Sequence, residues 1–264
     1  MEDYRMKKMI QKSVTAIVLA VTILPMIYLG GYYLDGMILL LMSVLCYEVS
    51  RIRKFPWQNL IMVLMFIAVV GLFFCKPENL IFYLGCSAIV IFTIPIINTN
   101  FKLVDILTLF ILLFMATMAI IGMRNLRAYS LPLTIVVLAA TLSTDTFAYF
   151  VGSFLGKRKL APTISPNKTL EGAIAGWIGG GLIVIACRYL FCPDLPVNLM
   201  ILLAVFMPII SQIGDLAFSF IKREYGIKDY GSVFGGQHGG VFDRIDSVIF
   251  ALIFINYLLH VVVK

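Results

Sequence analysis

The chain has 264 residues, 61% hydrophobic and 13% charged, with a formal net charge of +7 and a mean hydropathy of +0.99. Soluble domains run at about 45–50% apolar and about 25% charged, so the composition excludes a water-soluble domain and leaves no polar half to fold as one. The basic excess suits anionic headgroups, at about 1 kcal/mol per Lys or Arg near a leaflet, and nothing in it points to nucleic acid.

Read in chain order, nine apolar runs approach or reach the ~17–25 residues that cross a bilayer: 13–29, 32–49, 58–75, 80–98, 103–122, 131–154, 171–191, 197–220 and 247–263. Gly30-Gly31 divides the first two, Pro56 precedes the third, and Lys76-Pro77-Glu78-Asn79 separates the third from the fourth. The expected fold class is all-α, a polytopic membrane bundle of about nine transmembrane helices in a single domain. The first run meets the second with no A-x-A-like cleavage site between them, so it is expected to be a retained helix.

An odd number of crossings puts the termini on opposite sides. With the N-terminus inside, the inner segments carry 16 of the 21 Lys and Arg residues and the outer segments 5, the asymmetry of the positive-inside rule. The expected location is the cell's inner (cytoplasmic) membrane, with the N-terminus in the cytoplasm. The five cysteines show no C-x-x-C spacing, which argues against structural zinc. Cys187 and Cys192 flank one short loop and read as packing thiols rather than a bridge.

Two inner segments, 156–172 and 219–247, are long and Gly/Pro-rich, whereas the outer loops are short. Chemistry is therefore expected at the inner face. Asp145 lies near the inner end of the sixth run. In "SPNKTLEG", Ser165, Asn167, Lys168 and Thr169 precede the seventh run, where free backbone N–H groups favour phosphate; Asn167 or Thr169 could equally cap that helix.

In the eighth run Ser211, Asp215 and Ser219 recur every four residues and share one helical face. A carboxylate in such a run costs about 2.5–3.5 kcal/mol on insertion scales, so Asp215 is expected to face a cavity, a cation or a paired Lys or Arg. The ninth run opens "HGGVFDRIDS". Asp243 and Asp246 are three apart on one face, and acids in a first turn also suit the helix dipole. Carboxylates from two helices at one depth, Asp215 and Asp243, make a hard-cation site of the kind Mg²⁺ uses.

The stretch "SFIKREYGIKD…HGGVFDRID" resembles the signature of the phosphatidate cytidylyltransferase (CDP-diacylglycerol synthase) family. The matching positions are Ser219, Lys222, Arg223, Lys228, Asp229, Gly231, His238, Gly239, Gly240, Asp243, Arg244 and Asp246. "SQIGDLAFS" and "DTFAYFVGSFLGKRKLAPTISPNKTLEG" resemble the family's other polar blocks, whereas the N-terminal half matches only as apolar helices. The chain departs where the family has Pro-Gly-His-Gly-Gly, reading "FGGQHGG" and one residue longer.

The resemblance implies CMP transfer from CTP to phosphatidate, giving CDP-diacylglycerol and pyrophosphate, with Mg²⁺ and a monovalent cation, K⁺ being the candidate. It implies Asp215 and Asp243 at the metal, which leaves Asp246 and Asp145 as expected supporting ligands and Lys222 as a further catalytic group. Lys168, Arg223, Lys228 and Arg244 are expected to hold phosphates, with Ser165, Asn167, Thr169, Ser219, Asp229, His238, Gly239 and Gly240 completing the substrate site. Expected partners are CTP, phosphatidate and the bilayer, with a homodimer as the candidate assembly. The alternatives are a CTP-dependent enzyme for another lipid phosphate, and an ion-coupled transporter using Asp145, Asp215 and Asp243 as a relay.

Overall fold

A computed structural model describes residues 22–52, 57–230 and 240–262. Among these residues the chain forms nine helices: α1 (the described part, 22–29), α2 (Gly31–Ser50), α3 (Gln58–Phe74), α4 (Leu80–Ile97), α5 (Leu103–Tyr129), α6 (Leu131–Leu155), α7 (Leu170–Phe191), α8 (Val197–Glu224) and α9 (Phe242–Val262). Seven of them, α2 and α4 to α9, are long and apolar enough to cross a membrane, and α3 is a shorter apolar helix of 17 residues. The expected all-α, multi-span membrane bundle is borne out.

Apolar side chains cover the outside as well as the inside. Ile81, Phe154 and Tyr189 are all at least 80% exposed, as lipid-facing residues of a spanning helix are. The centre of the bundle is α9, packed against α5, α6 and α8, with Ala251 and Ile255 wholly buried. Helices α6 and α7 pack most closely of all. A Cβ on Gly176 would lie 2.7 Å from the Thr144 carbonyl oxygen, so only glycine lets the two backbones approach this far.

Three helices run beyond their expected ends. Helix α5 continues to Tyr129 rather than stopping at 122. Its extra turns carry Arg124, paired with Asp35 at 3.0 Å, and Arg127, which donates to the carbonyls of Ile27 and Tyr28. Those partners remove the cost of charge that apolar-run counting assumes. Helix α8 runs on to Glu224, and α9 starts at Phe242, five residues ahead of the expected 247.

The 156–172 connection is not a featureless loop. Strands β1 (Lys159–Ala161) and β2 (Ser165–Thr169) pair antiparallel, Lys159 opposite Thr169 and Ala161 opposite Ser165. Glu171, in the first turn of α7, accepts hydrogen bonds from the backbone N–H groups of Lys157 and Arg158 and fastens the base of the hairpin. Polar contacts gather at both ends of the bundle. One end has Asp35, Arg124 and Arg127; the other has the hairpin, the end of α8, the start of α9 and Glu48 of α2.

Candidate active site

The polar end is built from parts of α2, α6, α7, α8 and α9 and from the hairpin. A cavity of about 550 Å³ lies between α6, the hairpin, α7 and α8; Asp145, Ser153, Asn167, Lys168, Gln212 and Asp215 are among its lining. Gln212 donates to the Ala173 carbonyl at 3.1 Å, which holds its amide at the seam between α7 and α8. Across the cavity, Lys168 reaches from β2 to place Nζ 2.6 Å from Asp215 Oδ2, each side chain about a quarter exposed. Ser219, one turn along, has Oγ 3.5 Å from Asp215 Oδ1.

Beyond Asp215 the acids continue on the neighbouring helices. Asp145, Asp215 and Asp246 act electrostatically on one another, and Lys168 and Lys222 act on the same group. Ser247 donates to Asp145 Oδ2 at 2.9 Å, and its backbone N–H donates to Asp246. Helices α8 and α9 run antiparallel, and their register is close. A Cβ on Gly214 would meet Phe250 Cβ at 2.8 Å and the Asp246 carbonyl at 3.1 Å. Asp246 therefore stands across from Asp215.

Asp243 stands one turn further out. Its Oδ1 takes Lys222 Nζ at 2.6 Å, with side chains 8% and 13% exposed. Its Oδ2 accepts two backbone N–H groups, from Tyr230 and Gly240, both at 2.9 Å. The expected meeting of Asp215 and Asp243 at one depth is thus offset: each of the two has its own lysine, and Asp246 sits between the two pairs. The three-residue spacing of Asp243 and Asp246 puts them on neighbouring turns of α9, and at ~1.5 Å per residue it also separates their depths.

Other expected site residues divide by what they touch. Asn167 lines the cavity. Thr169 is buried and its Oγ1 accepts the Gly172 N–H, so it caps α7. Arg223 donates from Nε to the Ile164 carbonyl and from Nη1 to the Ile227 carbonyl, which clamps the hairpin turn to the end of α8. Ser165 lies in β2, Lys228 and Asp229 are exposed, and Arg244 is half-buried. His238 and Gly239 lie outside the described residues. Cys187 and Cys192 are free thiols.

The donor set is hard oxygen: carboxylates from α6, α8 and α9, with no cysteine or histidine described beside them. Among the described residues no group of three or more His, Cys, Asp or Glu side chains is arranged to hold a metal ion. Mg²⁺ needs only one or two carboxylates when waters and substrate phosphates complete its shell, so the chemistry of Asp215 and its neighbours fits that ion. The lysine heads on Asp215 and Asp243 supply the counter-charge in this structure.

Two residues at this end, Glu48 and Tyr230, carry no signal in the sequence that marks them out. Glu48 is wholly buried and accepts N–H groups at the start of α9; in the sequence it lies beside Arg51, Arg53 and Lys54 and reads as one more charge at a helix exit. Tyr230 is 1% exposed, packs edge-on against Phe242 and has Lys222 Nζ 5.5 Å from its ring centre. Burial, with Asp243 and then Asp246 nearby, holds its phenol above the usual range.

A family model described as the cytidylyltransferase family matches residues 10–262. A phosphatidate cytidylyltransferase of Bacillus subtilis (strain 168) is 32% identical over 268 aligned residues, covering 96% of this chain and 98% of that relative. Phosphatidate cytidylyltransferases of Staphylococcus haemolyticus and Staphylococcus aureus (strain COL) are 44% and 45% identical, each over 44% of this chain and 44% of the relative. The match runs through every helix that frames the cavity and both lysine–aspartate pairs, and the chain belongs to the cytidylyltransferase family.

Proposed function

We propose that this membrane protein transfers CMP from CTP to phosphatidate, releasing pyrophosphate and leaving CDP-diacylglycerol in the bilayer. The observation that carries this is the pairing of Lys168 with Asp215 in the lining of a cavity that holds several charged and polar side chains within an otherwise lipid-clad bundle. Such a position lets acyl chains stay in lipid while a soluble nucleotide enters from water. The family and its similar relatives give the transporter alternative no support.

In the reaction a phosphate oxygen of phosphatidate attacks the α-phosphorus of CTP. The new P–O bond forms as the bond from the α-phosphorus to the bridging oxygen breaks, and the electron pair leaves on pyrophosphate. Two polyanions must meet, so the main demand is charge neutralisation and alignment rather than a covalent nucleophile. Lys168, on Asp215, and Lys222, on Asp243, supply cationic donors. Arg223 holds the hairpin against α8, so that Asn167 and Lys168 keep their place over the cavity.

Mg²⁺, with K⁺ as the candidate second ion, would be held by Asp215, Asp246 and Asp145, with Asp243 joining if Lys222 turns to phosphate. A divalent ion there would offset charge on the phosphates. The active face is proposed to be cytoplasmic, in line with the basic inner loops, and the assembly to be a homodimer.

The test uses purified protein in detergent with phosphatidate and Mg²⁺. Label in the α-phosphate of CTP should pass to the lipid fraction, and label in the γ-phosphate should leave as pyrophosphate. Lipid labelling that does not depend on added phosphatidate would point to another lipid phosphate as acceptor. No labelling at all would contradict the function.

A further inference from the structure

We propose that Glu48 is a positioning residue for CMP transfer, acting through the first turn of α9 on the Asp243–Lys222 pair. It rests on the role given above to Lys222. Glu48 lies at the inner end of α2, 193 residues from the backbone it holds, and is wholly buried. Its Oε1 accepts the Val241 N–H at 2.8 Å and its Oε2 the Phe242 N–H at 2.9 Å. The N–H just before them, of Gly240, donates to Asp243 Oδ2. Three successive amides at the entry to α9 are thus shared between two carboxylates, and the second of these carries Lys222.

The contact is unusual for a mere cap. Local Ser, Thr, Asp or Asn residues do that work at most helix starts, whereas a fully buried carboxylate is costly unless its bonds are strong. Here the carboxylate comes from the half of the chain that otherwise looks like plain apolar helix. Gly240 is part of the same fit: a Cβ there would lie 2.3 Å from Glu48 Oε2, so a side chain at 240 would force the Glu48 carboxylate to shift from its place on the two amides. If Glu48 is lost, the amides of 241 and 242 lose their acceptor, the start of α9 shifts, and Asp243 can no longer hold Lys222 in register.

The test is a double-mutant cycle on full-length protein with Glu48→Gln and Lys222→Gln, read as kcat, KM for CTP, KM for phosphatidate and Tm. Glu48→Gln should lower kcat about 10- to 100-fold, the scale of losing hydrogen bonds to a charged group, with both KM values within about threefold. In the Lys222→Gln background the same change should have little further effect. Wild-type kcat in folded Glu48→Gln, or losses that simply multiply in the double mutant, would overturn the proposal. If Lys222→Gln alone kept full activity, the role of Lys222 would fail instead, which separates the two. Should Glu48→Gln not fold, Gly240→Ala attacks the same contact from the other side, and wild-type kcat in its folded fraction would overturn the proposal too.

Discussion

Lys222 Nζ lies 2.6 Å from Asp243 Oδ1, and both side chains are nearly out of reach of solvent. Removing one member of a buried pair leaves the other charge uncompensated, at about 3–5 kcal/mol. Asp243 keeps two backbone donors, so Lys222→Gln is expected at the low end, about 3 kcal/mol. Adding Asp243→Asn should recover much of the stability but none of the turnover. Detergent-phase unfolding curves beside CTP turnover check this. Recovery of both together would mean that the pair is only structural.

Lys168 and Asp215 form the more open pair, each about a quarter exposed. Solvent screening holds its worth to stability near ~1 kcal/mol or less. The expected effect of Lys168→Gln is on substrate: a rise of about tenfold in KM for an anionic substrate, comparable to one charge-assisted hydrogen bond, with Tm almost unchanged. Steady-state kinetics varying CTP and phosphatidate separately decide it. A fall in kcat with both KM values unchanged would remove Lys168 from ground-state phosphate binding.

Tyr230 is buried, and its hydroxyl has no hydrogen-bond partner among the described residues. A phenol raised above its unfolded value contributes stability that is complete below about pH 10 and is lost as pH climbs toward the folded value. Burial is the main cause of the rise here, ahead of Asp243. Tyr230→Phe should therefore flatten the alkaline decline in stability. At neutral pH it should be neutral or gain about 1 kcal/mol by removing an unsatisfied group. A loss above about 2 kcal/mol at pH 7 would show that the hydroxyl has a partner after all.

Much of this was legible from the residues. Long apolar runs have no alternative to spanning helices, so the bounds expected for α2, α3, α4, α6 and α7 agree with the structure to within a residue. Asp215 inside a run and the Asp243/Asp246 spacing marked the polar end because buried charge needs a reason. What was not legible depends on tertiary partners. Arg124 and Arg127 stay helical because α1 and α2 supply Asp35 and free carbonyls. The hairpin needs Glu171 at its base. Helical period gives the face of Asp243 but not its depth against α8, so the lysine partners and the place of Asp246 opposite Asp215 emerged only from packing. Glu48 was hidden for the same reason, since its partners lie at the far end of the chain.

The most direct measurement is CMP transfer by Asp215→Asn. Asparagine keeps the size of the side chain but removes the charge that Lys168 meets and that acts on Asp145 and Asp246. Turnover of CTP into lipid should fall by about 10²–10³-fold or more, while the variant extracts and melts as the wild type does. Transfer within about threefold of wild type would contradict the placement of the reaction among these carboxylates.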